Sequence, residues 1–302
     1  MSLPVALLKT MRPRQWVKNL LVLLPLLFAV DLVWTPSDLT TLLQYASPLA
    51  VLFAAFCALS SAVYIINDLA DRNADRQHPT KRTRPIASGL LPVPMAAVAQ
   101  FVLAVAGMFA LYAISTPPLV PLALIGAVYL LVNVGYSLGL KRVALVDVMI
   151  VAGGYVLRAV AGAVAVGATP SPWLYAVTAA GALFIVIGRR YAEARLAGAD
   201  PDAQRATLQY YGPPLGGQLL ILSATAALVS YTLYAVEADN LPANNTMLLT
   251  VPLVIFGLFR YLYLLNHSRD AEAPELLMLR DAPLLIAIAA WVILTAAVIV
   301  LN

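Results

Sequence analysis

Apolar runs long enough to cross a bilayer recur along this chain. They lie at about 19–34, 45–67, 93–115, 119–138, 143–166, 173–190, 217–236, 247–265 and 283–301. A helix needs roughly 20 such residues to span the ~30 Å hydrocarbon core, and a segment in lipid must satisfy every backbone polar group internally. The pattern predicts an all-α integral membrane protein of nine transmembrane helices. Pro36, Pro117-Pro118, Gly139, Pro170, Pro172, Pro213-Pro214, Pro242 and Pro283 separate the runs, as expected for antiparallel helices with short connections. Only 11% of residues are charged, against about 25% in a soluble domain, so little is left for a soluble domain. One transmembrane domain is expected over residues 1–302.

Charge tests this count. With nine spans, one side receives Lys9 to Lys18, Arg72 to Arg84, Lys141 and Arg142, Arg189 to Arg205, and Arg260 to Arg280. The opposite loops (35–44, 116–118, 167–172, 237–246) and the C-terminus contain no Lys or Arg. The positive-inside rule then makes the N-terminus and the charged loops cytoplasmic and turns the C-terminus outward. The net charge of +4 sits in short loops and argues for no nucleic-acid partner. The one cysteine, Cys57, lies inside an apolar run, so no disulfide framework is expected. The basic start resembles that of a signal peptide, but no small-residue cleavage site follows, which predicts a retained first helix. The second and third spans, and the sixth and seventh, are joined by long charged loops (68–92 and 191–216). That hints at two related halves, the loops forming a polar cap.

At the end of the second span stands VYIINDLADRNADRQHPTKRTRPIASG, residues 63–89. On a helix, Asn67, Asp68, Asp71 and Asp75 fall within an arc of about 100°. These acidic residues could be a solvated helix end, yet carboxylates on one stripe repel each other unless a cation is present. Hard oxygen donors at a helix end suit Mg²⁺, which usually combines one or two carboxylates with substrate phosphates. Asn67 and Asp71, spaced i and i+4, are the expected direct ligands, with Asp68 and Asp75 further out or acting through water. Tyr64, earlier on the same stripe, is either a substrate-packing ring or an interfacial aromatic. Lys81 and Arg84 follow within reach of the same phosphates.

This block resembles the UbiA superfamily of intramembrane prenyltransferases. With RPRQWVKN (12–19), YSLGLK (136–141), GRRYAEARLA (188–197) and PELLMLRD (274–281), it is most similar to the branch that phosphoribosylates decaprenyl phosphate. The resemblance implies helices around a central cavity open to cytoplasm and lipid, in a bacterial plasma membrane. It implies phosphoribosyl pyrophosphate as donor, a polyprenyl phosphate as acceptor and Mg²⁺ as cofactor. It also favours Lys18 for a phosphate, although that residue reads equally as an ordinary basic anchor. Where aromatic prenyltransferases of the superfamily carry a second aspartate-rich motif, this chain has Arg189, Arg190, Tyr191 and Glu193, with Asp200 and Asp202 only later. Guanidiniums there suit direct phosphate binding; where the branch commonly has lysine, Arg189 keeps the charge with another geometry.

Two cations stand apart. Lys141, in the turn after the fourth span, could reach a phosphate. Arg158 is the one basic residue deep in a span, where it costs about 2.5–3.5 kcal/mol and calls for a cavity or partners. Asp147 is 11 residues away on nearly the same stripe, about 16 Å along the axis and so beyond pairing.

The sequence thus predicts displacement at the anomeric carbon by an anionic lipid phosphate, with Asp68, Asp71 and Asp75 around the reacting centre. Competing readings are a prenyltransferase acting on an aromatic acceptor and an anion transporter; charge at the cytoplasmic ends disfavours transport. The oligomeric state is not set by the sequence, and a homo-oligomer stays open.

Overall fold

The computed structural model describes residues 2–27, 33–35, 38–115, 122–168, 172–196, 207–238, 241, 244–267 and 280–301. They form eleven α-helices: α1 (Leu3–Met11), α2 (Leu24–Leu27), α3 (Leu39–Ala70), α4 (Arg72–Gln77), α5 (Val93–Ala113), α6 (Leu122–Leu138), α7 (Val146–Ala165), α8 (Pro172–Leu196), α9 (Leu215–Glu237), α10 (Val251–His267) and α11 (Ala282–Leu301). No β-strand occurs among the described residues beyond an isolated bridge between Thr35 and Asp38.

Six described helices are long and apolar enough to cross a membrane, so the protein is multi-pass: α3, α5, α7, α9, α10 with the 3₁₀ turn before it, and α11. Of the other expected spans, 119–138 corresponds to α6, a shorter apolar helix, and 173–190 falls within α8. The first differs from expectation. Pro13–Leu23 is a 3₁₀ stretch leading into α2, and residues 28–32 lie outside the described set. Runs of 3₁₀ longer than three or four residues are uncommon, so tertiary contact must hold this one. Its partner is α7. A Cβ on Gly162 would lie 2.1 Å from the Val22 carbonyl oxygen, so the two backbones meet where only glycine leaves room.

α3 is the axis of the first half. Asp38 caps it by accepting from the Thr40 N–H at 3.0 Å, and it runs for 32 residues. At 1.5 Å per residue that is about 48 Å, well beyond a ~30 Å hydrocarbon core. Its last turns, with Asn67 and Asp68, therefore have length to stand clear of the apolar layer. α3 packs most extensively on α5, and α8 on α9. These are the pairs joined by the long charged loops.

Apolar layers hold the elements together. Leu52, Phe56 and Leu59 of α3, Leu111 of α5, Ile125 and Tyr129 of α6 and Ala161 of α7 form one core. Phe184 and Ile187 of α8, Tyr211, Leu220 of α9, and Tyr261 and Leu265 of α10 form another. The outward faces of α5 and α9 carry exposed Phe101, Phe109, Ile221 and Leu222, as lipid contact requires.

Candidate active site

Between α3, α6, α7 and α8 lies a cavity of about 400 Å³. Arg12, Lys18, Arg158, Arg189 and Arg190 line it, and no carboxylate does among the described residues. Tyr64, Tyr129, Tyr136 and Tyr155 supply ring surface, and Asn67 brings the acidic motif to the rim.

Asp68 and Asp75 are buried, at 3% and 4% exposure, and do not stand open to the cavity. Asp68 Oδ1 accepts from Arg12 Nη2 at 2.6 Å and from Arg84 Nη1 at 3.1 Å; Arg84 Nη1 also donates to Asp75 Oδ2 at 2.8 Å. The cation that the acidic stripe requires is thus partly provided by the chain itself. Arg12 reaches this position because its backbone is left-handed (φ 56°, ψ 60°) at the junction of α1 and the 3₁₀ stretch. Its guanidinium also lies over the Tyr64 ring, 5.2 Å from the centroid. Tyr64 is therefore an interhelix contact as well as a cavity ring.

Asn67 and Asp71 do converge. Both accept from Lys141 Nζ, Asn67 Oδ1 at 3.2 Å and Asp71 Oδ1 more closely. Lys141 is 9% exposed and enters from the turn between α6 and α7. No cluster of three or more His, Cys, Asp or Glu poised for a metal exists among the described residues. Two oxygens that already embrace one cation nevertheless fit the two-ligand, phosphate-completed coordination that Mg²⁺ favours.

Arg158 is 6% exposed. It donates to Asn19 Oδ1 (2.7 Å), the Gly154 carbonyl (2.7 Å) and Tyr129 Oη (3.0 Å). It lies over the rings of Phe56 and Tyr129. All these partners are neutral, and no described carboxylate lies within ion-pair distance of it. A buried guanidinium held only by neutral groups keeps its charge uncompensated, which makes the wall attractive to an anion.

At the C-terminal end of α8, Arg190 Nε donates to Asp147 Oδ2 (3.1 Å), its Nη1 to Glu193 Oε2 (2.7 Å) and its Nη2 to Tyr136 Oη (3.3 Å). Arg189 Nε donates to Glu193 Oε1 at 2.8 Å. Tyr191 turns away to donate to Asn266 Oδ1 (3.3 Å) and does not line the cavity. Glu193 braces the two arginines. Asp147 pairs with Arg190 and not with Arg158, in keeping with the axial separation. Its other oxygen accepts from Tyr211 Oη, and Tyr211 Oη in turn accepts from the Leu145 N–H at 2.8 Å. Burial foremost, and then its bond to Asp147, push the Tyr211 phenol well above its ordinary value, so it remains a donor.

Of the expected site residues, Lys18, Tyr64, Asn67, Arg158, Arg189 and Arg190 meet at the cavity. Asp68, Asp71, Asp75, Arg84 and Lys141 form the ion-paired shelf behind Asn67. Lys81 is half-buried in a 3₁₀ turn near that shelf and is not part of the cavity wall. Asp200, Asp202 and most of PELLMLRD lie outside the described residues. Sequence reasoning missed Arg12, Asn19 and Tyr211 as contributors.

The UbiA prenyltransferase family profile matches residues 22–282. A Mycolicibacterium smegmatis protein called decaprenyl-phosphate phosphoribosyltransferase is 38% identical over 304 aligned positions, covering 96% of this chain and 91% of that one. Its Mycobacterium tuberculosis namesake is 36% identical over 291 positions, covering 96% and 93%. A UbiA homologue from Archaeoglobus fulgidus, solved with GPP and Mg²⁺, matches with a TM-score of 0.69 at 20% identity, covering 97% of this chain and 99% of that one. At that identity the likeness speaks for a shared fold.

Proposed function

The chain belongs to the UbiA prenyltransferase family, and we propose that this member moves a 5-phosphoribosyl group from phosphoribosyl pyrophosphate to decaprenyl or another polyprenyl phosphate. As a transferase acting on polyprenyl phosphate it keeps company with its named relatives. The observation that carries the donor assignment is the cavity wall, which among the described residues has five cations and no carboxylate, with Arg158 held by no described acidic partner. Such a wall suits two phosphorylated substrates.

Asn67 and Asp71 would hold Mg²⁺, which when bound with the donor neutralises the leaving diphosphate. The bond from the anomeric carbon to the diphosphate oxygen breaks, and its electron pair leaves with the diphosphate. A lipid phosphate oxygen, already anionic, forms the new bond, so no proton has to move and no general base is needed. Arg189 and Arg190, which line the cavity, would hold phosphate groups of the donor. Arg158 and Lys18 draw in the lipid head. Lys81 and Arg84 reinforce the positive edge, and Asp68 and Asp75 keep Arg12 and Arg84 in register. The work is positioning and charge stabilisation.

We place the protein in a bacterial plasma membrane, with the N-terminus and the loops about 68–92 and 191–216 on the cytoplasmic side as the polar cap of one transmembrane domain and the C-terminus outside. The segregation of Lys and Arg supports this. The test is mass spectrometry of lipids made by the purified protein with phosphoribosyl pyrophosphate, decaprenyl phosphate and Mg²⁺. A phosphoribosylated lipid that disappears on chelation is expected. Its absence, together with prenylation of an aromatic acid from a prenyl diphosphate, would replace this reading with the aromatic one.

A further inference from the structure

The pair of oxygens best suited to a divalent cation already holds a cation. Lys141 Nζ donates to both Asn67 Oδ1 and Asp71 Oδ1, from a side chain that is 9% exposed. An ammonium and a metal held at close range by the same two oxygens repel each other, so the two compete for the position. Asp68 and Asp75 are buried and already paired, Asp68 with Arg12 and Arg84 and Asp75 with Arg84.

We propose that Lys141 is a resident counter-ion that fills the metal position until a metal–diphosphate complex arrives, and that it then passes to the diphosphate. The inference rests on the metal assignment above. It follows that bare divalent metal competes against the tethered ammonium and binds weakly. Diphosphate removes the competition by offering Lys141 a new anion, so metal and diphosphate bind with positive coupling. Between linked ligands such coupling is usually about 5–150-fold. The lysine also keeps Asp71 paired in the resting protein, so an empty site carries no exposed acidic edge beside the arginines.

Mn²⁺ binding to the purified protein, followed by electron paramagnetic resonance with and without inorganic pyrophosphate, tests this. In the wild type, pyrophosphate should tighten Mn²⁺ binding by roughly tenfold or more. Lys141→Met should bind Mn²⁺ alone roughly tenfold more tightly than the wild type and lose most of the coupling. Lys141→Gln repeats the measurement should the first variant fail to fold. The gain must vanish when Asp71→Asn is added; a gain that persists in the double variant would reflect a general field and overturn the proposal. Equal Mn²⁺ affinity in the wild type and Lys141→Met overturns the counter-ion role alone. Mn²⁺ bound by no form, even with pyrophosphate, removes the metal assignment and this inference with it.

Discussion

The C-terminal ends of α3 and α8 are built on the same plan with the signs reversed. On α3 and α4 the helix carries Asp68, Asp71 and Asp75, and cations come from elsewhere: Arg12, Arg84 and Lys141. On α8 the helix carries Arg189 and Arg190, and carboxylates come from Asp147 on α7 and Glu193 on α8 itself. Both ends follow a helix leading into a long charged loop. The reversal gives them different roles. On the proposed function the α3 end would exchange a side-chain cation for a metal, and the α8 end would present its arginines to a phosphate from a braced frame. The α3 pairs are partly exposed, with Arg12 and Arg84 at 25% and 28%, whereas Asp147 is sealed at 0% and Arg190 at 6%. The first end is therefore adjustable and the second is fixed.

The largest expected effect breaks the fixed end. Asp147→Ala leaves a buried Arg190 without its inter-helix carboxylate and should destabilise the protein by about 3–5 kcal/mol, read by thermal unfolding in detergent. A change as small as that of an exposed pair would end the distinction. Next comes the adjustable end, where Asp71→Asn should leave the unfolding temperature nearly unchanged while lowering turnover by about 100-fold. Loss of stability without loss of turnover would mean that the α3 end is structural.

Tyr211→Phe probes the fixed end more gently. Removing one hydrogen bond to Asp147 should cost about 1 kcal/mol, seen as a KM for the phosphoribosyl donor raised about fivefold with kcat and the lipid KM little altered. Equal losses in all three would point to general disorder of the fold.

The smallest effect belongs to a pair outside both ends. Arg260 Nε and Nη2 hold Asp281 at 3.0 and 2.8 Å, and Asp281 also accepts from the Leu284 N–H as the cap of α11. The Arg260 hydrogen bond, foremost, holds the Asp281 carboxyl below its ordinary range. A lowered native value means stability that is full above the unfolded carboxyl value of about 3.9 and is lost as pH falls through the native one. Arg260→Gln should lower the unfolding temperature slightly at pH 7, leave it nearly unchanged at the acid end where the wild type has already lost this contribution, and so flatten that acid limb.

Much of this was legible in the sequence for physical reasons. Span positions follow from lipid's demand for long apolar helices; the acidic stripe was read on one helix from Asn67 through Asp75, whereas α3 ends at Ala70 and Asp75 lies on α4. Arg158 stood out because charge is costly in a span. What was hidden depends on encounters between distant segments. Arg12 read as one more anchoring cation, because nothing local reveals that a left-handed residue aims it at Asp68, 56 positions away. Asp147 was correctly separated from Arg158, but its true partner lies 43 residues on. Tyr211 sat in an ordinary loop pattern. The 3₁₀ path of Pro13–Leu23 was hidden because its last residues, Asn19 to Leu23, open the apolar run that reads as a first span.

The bare backbone at Gly162 has reach well beyond its own helix. Because the Val22 carbonyl rests directly on it, a single methyl group there would act as a wedge, prising the amino-terminal segment off its seat. Arg12 and Lys18 ride on that segment, so the wedge would unhook two charges from the substrate chamber without touching either one. The chamber's width is thus gauged by a position that carries no chemistry at all.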